Sequence, residues 1–273
     1  VPVEVGAMAI DEEGFIYTST ENNVKKLNPT GKNILITRLR GNVIGTARFG
    51  DIESLWLRGL NIATRFSDVC VDDDEFINVL DRTRGRVFQY DQESNLLLVF
   101  GGIGGQMGLF KSPAAIDTIG DRILVLDSTD GSITVFKPTE FGALVHDAVK
   151  LYNEGMYEEA VEPWYDVLQR DANFELAYVG IGKSLYKLKE FRDAMRFFRN
   201  GYDRTGYSQA MKKYRTAFLR AHFLTVVLII CFVIAGIALY GARKRIFGKS
   251  NLHAVKVAAG SPARSNEPLK TRK

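Results

Sequence analysis

The chain of 273 residues is 46% hydrophobic and 25% charged, with 36 Lys and Arg against 32 Asp and Glu for a formal net charge of +4. That small excess hides a division: residues 1–210 hold 23 basic against 31 acidic side chains, and residues 211–273 hold 13 against 1. The basic character sits beside an apolar stretch, which points to anionic lipid head groups and away from nucleic acid. The two cysteines, Cys70 and Cys231, lie far apart in chemistry as well as in sequence, one in a polar region and one inside the apolar stretch, so no intrachain disulfide is expected.

The first half of the chain repeats. Residues 68–90 placed over residues 114–136, at an offset of 46, align Ile77 with Ile123, Val79 with Val125, Asp81 with Asp127, Val87 with Ile133 and Tyr90 with Phe136. Each unit reads as a pair of short alternating strands joined by a turn of Asp, Thr, Arg, Ser and Gly. An earlier copy begins at Met8 and continues through Gly14 to Val24 and Leu27, with a turn two residues shorter. Repeated antiparallel units of this length predict β-propeller blades. The strands Phe76 to Asp81 and Arg86 to Asp91, and the Gly-rich link from Phe100 to Pro113 that closes in Phe-x-x-Pro, resemble NHL repeats. The resemblance covers residues 5–137, and implies a propeller of which about three blades are visible. Between the first two units the connection over residues 40–66 is longer than a blade connection requires, and Trp56 has no assigned place in it. Since a ring takes roughly four to eight blades, further blades are expected upstream of Val1, or else closure by a second copy.

Residues 141–174 and 175–208 then repeat at an offset of 34, which places Leu144 on Tyr178, Ala148 on Gly182, Tyr152 on Tyr186, Ala160 on Ala194 and Trp164 on Phe198. Thirty-four is the tetratricopeptide period. The segments starting at Gly155 and Lys189, each an aromatic followed by acidic or basic residues and an Ala, resemble the tetratricopeptide turn into its second helix. Ala172 stands where that family has Pro, so the first pair is expected to run less abruptly into the second. Such repeats imply a concave groove for a protein or peptide partner, with Asn153, Lys183 and Lys187 as its polar contacts. Two repeats leave a face bare. A helix over residues 209–222, apolar at Ala210, Met211, Tyr214, Ala217 and Phe218, is expected to cap them and run straight into the next element.

That element is the strongest single signal. Residues 221–242 carry no full charge, and at roughly 1.5 Å per residue they reach about 33 Å, enough to cross a bilayer core. We assign a transmembrane helix to residues 223–242, flanked by Lys212, Lys213, Arg215 and Arg220 on one side and Arg243, Lys244 and Arg245 on the other. Within 20 residues of the span each side carries five basic residues. The cluster at 243–245 abuts the span directly and the tail adds Arg264, Lys270, Arg272 and Lys273, which favours a cytoplasmic tail and extracytoplasmic repeats. Residues 243–273 read as a basic, disordered tail.

Candidate chemistry is sparse. The glycines from Gly101 to Gly108 suggest a phosphate loop, but no helix and no Gly-Lys-Ser follows, so they read as a blade connector. Asp72, Asp73, Asp74 and Glu75 suggest a calcium site, yet their spacing matches no EF-hand loop and acidic turns are common. Some relatives of NHL propellers are lyases with a histidine-bound metal, and others are calcium-dependent lactonases; here His146, His222 and His253 all fall outside the blades. No nucleophile set can be assembled. The expectation is a multidomain protein, with blades over residues 1–140, helical repeats over 141–208, a capping helix over 209–222, a span over 223–242 and a tail. Its expected role is a non-enzymatic, membrane-anchored scaffold without cofactor, binding protein or carbohydrate and resembling membrane proteins of Gram-positive bacteria. An extracytoplasmic propeller enzyme, lactonase- or lyase-like, is the competing expectation, and a cytoplasmic adaptor a third.

Overall fold

A computed structural model describes residues 6–20, 23–39, 43–46, 49–51, 55–57 and 60–258. The chain forms two compact units, residues 1–213 and 214–273.

In the first unit the alternating segments form three antiparallel sheets. The first is β1 (Ala7–Ile10), β2 (Ile16–Thr20) and β3 (Asn23–Leu27). Two hairpins follow, β4 (Ile36–Leu39) with β5 (Val43–Thr46), and β6 (Leu55–Leu57) with β7 (Leu60–Ile62). They occupy the long connection, and Trp56 lies on β6 opposite Asn61, its side chain outside the described part. The second sheet is a four-stranded meander of β8 (Phe66–Val71), β9 (Ile77–Asp81), β10 (Arg86–Tyr90) and β11 (Leu96–Gly101). The third is β12 (Pro113–Ile119), β13 (Arg122–Asp127) and β14 (Ser132–Phe136).

A recurrent turn builds these hairpins. Asp11, Asn28, Asp72 and Asp91 each accept the backbone N–H four residues on, from Phe15, Lys32, Phe76 and Asn95. The residue three positions on is left-handed in every case: Gly14, Gly31, Glu75 and Ser94, with φ between 64° and 85°. A short carboxylate or amide closes the turn while the left-handed residue reverses the chain.

The sheets stack through their first strands, with β8 lying beside both β1 and β12. Ile116 on β12 donates its N–H to the Asp68 carboxylate on β8 at 2.9 Å. Between sheets one and two pack Tyr17, Val24, Phe66, Val69, Val79 and Phe88; between two and three pack Cys70, Leu80, Val87, Phe110, Ile116 and Val125. Alternation along each strand sends successive side chains to opposite faces, so the second sheet serves both cores. The 46-residue repeat has a structural counterpart at its aspartates. Asp81 accepts N–H groups of Arg65 and Thr83, and Asp127 those of Lys111 and Thr129, each tying an incoming connector to the end of the second strand of its sheet. The repeat breaks at the far face of the third sheet, where Leu126 and Ile133, counterparts of the buried Leu80 and Val87, are 39% and 59% exposed.

Four helices complete this unit as two hairpins: α1 (Glu140–Asn153) with α2 (Val161–Arg170), and α3 (Glu175–Lys187) with α4 (Phe191–Asn200). Thr139 caps α1, its Oγ1 accepting the Gly142 N–H at 3.2 Å. The two hairpin turns are alike: Gly155 and Lys189, one period apart, are both left-handed, at φ 86° and 69°. Where the helices touch, glycine is required. A Cβ on Gly180 falls 2.4 Å from the Trp164 ring, and one on Gly182 falls 2.8 Å from Phe198. The junction between hairpins is abrupt despite Ala172, because Asp171 is extended and its carboxylate accepts the Asn173 N–H. A hydrophobic cluster of Val145, Val149, Trp164, Ile181 and Phe198 includes Phe76 and Leu97 from the second sheet. Sheet and helices therefore share one core.

Helix α5 (Arg204–Ala221) buries Gly206 and Ala210, while Met211, Tyr214 and Phe218 are 37–48% exposed. It ends one residue before α6 (Phe223–Ala258), with a turn at His222, so the two are separate helices where one continuous helix was expected. The helix α6 extends past the apolar stretch, so residues 243–258, expected to be disordered, are helical; residues 259–273 lie outside the described part.

Candidate functional site

A cavity of about 470 Å3 lies at the end of the second and third sheets, closed on one side by α1. Three elements place its polar groups. The β8–β9 turn brings Asp72, Asp73 and Asp74, the middle of β10 brings Gln89, and α1 brings His146. Leu98, Phe100, Ile123, Phe136 and Pro138 supply apolar walls.

A directed hydrogen-bond chain crosses this floor. Asn78 Nδ2 donates to Asp72 Oδ2 at 3.3 Å, and Gln89 Nε2 donates to Asn78 Oδ1 at 3.0 Å. Gln89 Oε1 is then left as acceptor for His146 Nε2, 2.6 Å away, which assigns the imidazole proton to Nε2. The imidazole also lies against Phe76, with ring centroids 4.6 Å apart. Burial pushes the Asp72 carboxyl up to about 6, although the Phe76 N–H and the Asn78 amide both favour its ionised form. Burial likewise lowers the His146 imidazole, against the pull of Asp74 and Asp147. Asp74 pairs with Lys150 of α1 at 2.8 Å. Among the described residues no three His, Cys, Asp or Glu are placed to hold a metal ion together.

The groove residues are divided by the fold. Asn153 and Lys183 share a narrow cavity of about 40 Å3 with Asp91, Glu93 and Trp164. The β10–β11 turn meets the helices there, and Lys183 Nζ bonds the Glu93 carboxylate. Tyr152 on the same side is pushed up to about 12 by burial, with Glu93 adding to the shift. Lys187 is exposed and sits over the Tyr157 ring, 5.4 Å from its centroid.

No protein-family model matches the chain, and none of the curated proteins does. Solved structures do. A streptogramin B lyase is similar over 50% of this chain and 42% of its own, at 13% identity and a TM-score of 0.31. Virginiamycin B lyase from Staphylococcus aureus, solved with quinupristin, is similar over the same shares at 16% identity and a TM-score of 0.28. A PQQ-bound aldose sugar dehydrogenase from Streptomyces coelicolor is similar over 48% of this chain and 42% of its own, at 12% identity and a TM-score of 0.28. These are propeller-like proteins, and the chain spans less than half the length of each.

In the second unit, α6 is long and apolar enough to cross a membrane over Phe223–Gly241, 19 residues of mean hydropathy 2.8, none of them buried. Of the flanking cations, Lys212, Lys213, Arg215 and Arg220 are exposed on α5 and Arg243 on α6; the side chains of Lys244 and Arg245 lie outside the described part. Cys70, buried, and Cys231, in the span, are both unpaired.

Sequence reasoning did not find the cavity. His146 lies outside the blades in sequence, and in the structure it packs from α1 onto Phe76 and Gln89 of the second sheet. One signal was present. The counterpart of Gln89 in the third sheet is Val135, a polar side chain in one unit matched by an apolar one in the other.

Proposed function

We propose that the chain is a single-pass, membrane-anchored scaffold of NHL-type blades and tetratricopeptide-type hairpins, held outside the cytoplasm to bind a protein or peptide partner. The observation that carries this reading is the shared core: Phe76 and Leu97 of the second sheet pack among the helices, and Lys150–Asp74 and Lys183–Glu93 add ion pairs across the same contact. Blades and helices so joined present one rigid surface, and the apolar helix of the same chain supplies the anchor. The non-enzymatic reading is supported by how the cavity's groups are used. Asp72 is held by Phe76 and Asn78, His146 by Gln89, and Asp74 by Lys150, so these three inner groups already have structural partners.

The partner surface in this reading is the open rim of the helical hairpins, where Asn153 and Lys187 are exposed, while Lys183 positions the β10–β11 turn behind it. A carbohydrate partner on the blades belongs to the same proposal. Lys212, Lys213, Arg215, Arg220, Arg243, Lys244 and Arg245 are the residues that would meet lipid head groups.

The test is topological. A reporter active only outside the cytoplasm, fused before Phe223, is expected to be active, and the same reporter fused after Lys249 to be silent. Activity from the second fusion would overturn the orientation. A photo-crosslinking residue at Lys187 is then expected to yield one discrete adduct in intact cells, and no adduct would reduce the helical segment to a stalk.

A further inference from the structure

The cavity beside α1 is not needed for the scaffold reading, and its lining is unusual for a packing defect. Two carboxylates at its rim are not committed to the structure. Asp73, in the β8–β9 turn, is exposed and has no hydrogen-bond or ion-pair partner among the described residues. Asp121, in the equivalent β12–β13 turn of the next sheet, is exposed and meets only its neighbour Arg122, at 3.9 Å. Asp72 and Asp74 stand beside them, and Lys137 is the one lysine in the lining. Behind this acidic rim the wall is apolar and aromatic, with the Phe100 and Phe136 rings 4.9 Å apart and Val99 43% exposed.

Each half of that lining selects for a different part of a ligand. An anion entering the cavity would meet the Asp73 and Asp121 carboxylates with one lysine to offset them, and a fully apolar molecule would gain nothing from either. A cation gains from both carboxylates and from the faces of Phe100 and Phe136. The volume of about 470 Å3 lies within the range of ligand sites, roughly 300–1,000 Å3. We propose that this cavity is a small-molecule site for an organic cation, an ammonium or guanidinium group between Asp73 and Asp121 on an apolar body that lies against Phe100, Phe136 and Ile123. The site is independent of the anchor and of the helical rim, so it stands or falls separately from the scaffold reading.

Three probes of one shape and different charge test it: phenylbutylamine, phenylbutanol and phenylbutyrate, titrated calorimetrically into the full chain in phosphatidylcholine nanodiscs, with empty nanodiscs subtracted. The amine is expected to bind saturably, one to one, and at least about tenfold more tightly than the alcohol or the acid. Asp73→Asn combined with Asp121→Asn alters only exposed groups and is expected to weaken the amine by about tenfold. The thermal unfolding of this double variant is expected to be unchanged. Equal affinity for the three probes overturns the proposal, as does amine binding that survives the double variant. Absence of saturable binding by the amine overturns it as well.

Discussion

Glu75 and Ser94 occupy left-handed positions that Gly14 and Gly31 fill in the equivalent turns, with Glu75 at φ 64°. A side chain there costs of the order of 1 kcal/mol, because Cβ crowds the following carbonyl. Glu75→Gly is expected to raise stability by roughly 0.5 kcal/mol, the strain relieved exceeding the added backbone entropy. Urea unfolding of the full chain in micelles would read it as a higher midpoint, and an unchanged or lower midpoint would contradict the strain. His146 makes a second prediction at this scale. Its folded value is depressed by burial from 6.5, so the unfolded chain binds the extra proton first, and the stability it contributes is lost as pH falls through the unfolded value. Asp74 and Asp147 face it and favour the charged form, while Lys150 opposes it. Asp72 runs the other way: raised to about 6, it contributes stability at low pH that is lost as pH rises through that value. Comparing wild type with His146→Gln removes the Asp72 contribution from the difference. The wild type's advantage is expected to shrink between about pH 7.5 and about pH 5.5 when unfolding is followed by tryptophan fluorescence. A difference independent of pH would sink the assignment. The acidic run from Asp72 to Glu75 was legible at this scale as a turn between strands; the imidazole's partner was not, because Gln89 is 57 residues away.

The sheets differ in how their equivalent residues are covered. Leu80 on β9 is fully buried against the third sheet, whereas its counterpart Leu126 on β13 is 39% exposed. Leu80→Ala is expected to cost about 2–5 kcal/mol through lost burial and the cavity left behind. Leu126→Ala is expected to cost about 0.5 kcal/mol or less. Denaturant unfolding of the two variants separates them, and equal losses would mean that another element buries Leu126. The strand pattern and the 46-residue period were readable from alternation alone, and the two helical hairpins from their 34-residue period. The junction after α2 was not: lacking Pro at Ala172, the chain still breaks there, because the Asp171 carboxylate captures a local N–H.

At the scale of the molecule, charge and compactness divide the chain at nearly the same place. The acidic excess ends at residue 210, and the compact units meet between residues 213 and 214. The second unit combines an apolar stretch of 19 residues within α6, long enough to cross a membrane, with exposed cations on its flanks. The reporter fusions bear on this scale, since they ask which side of the membrane the acidic unit occupies.

The sequence by itself determined the apolar stretch long enough to cross a membrane, the two repeat periods and the strands and helices that follow from them, because hydropathy and periodicity are local properties that neighbouring residues impose on one another. Tertiary structure alone decided that α1 packs on the second sheet, that the β10–β11 turn meets Lys183 of α3 through Glu93, and that His146, Gln89, Asn78 and Asp72 form one chain. Those contacts join residues tens of positions apart. They depend on which apolar faces find each other in the shared core, and no short window of sequence carries that choice.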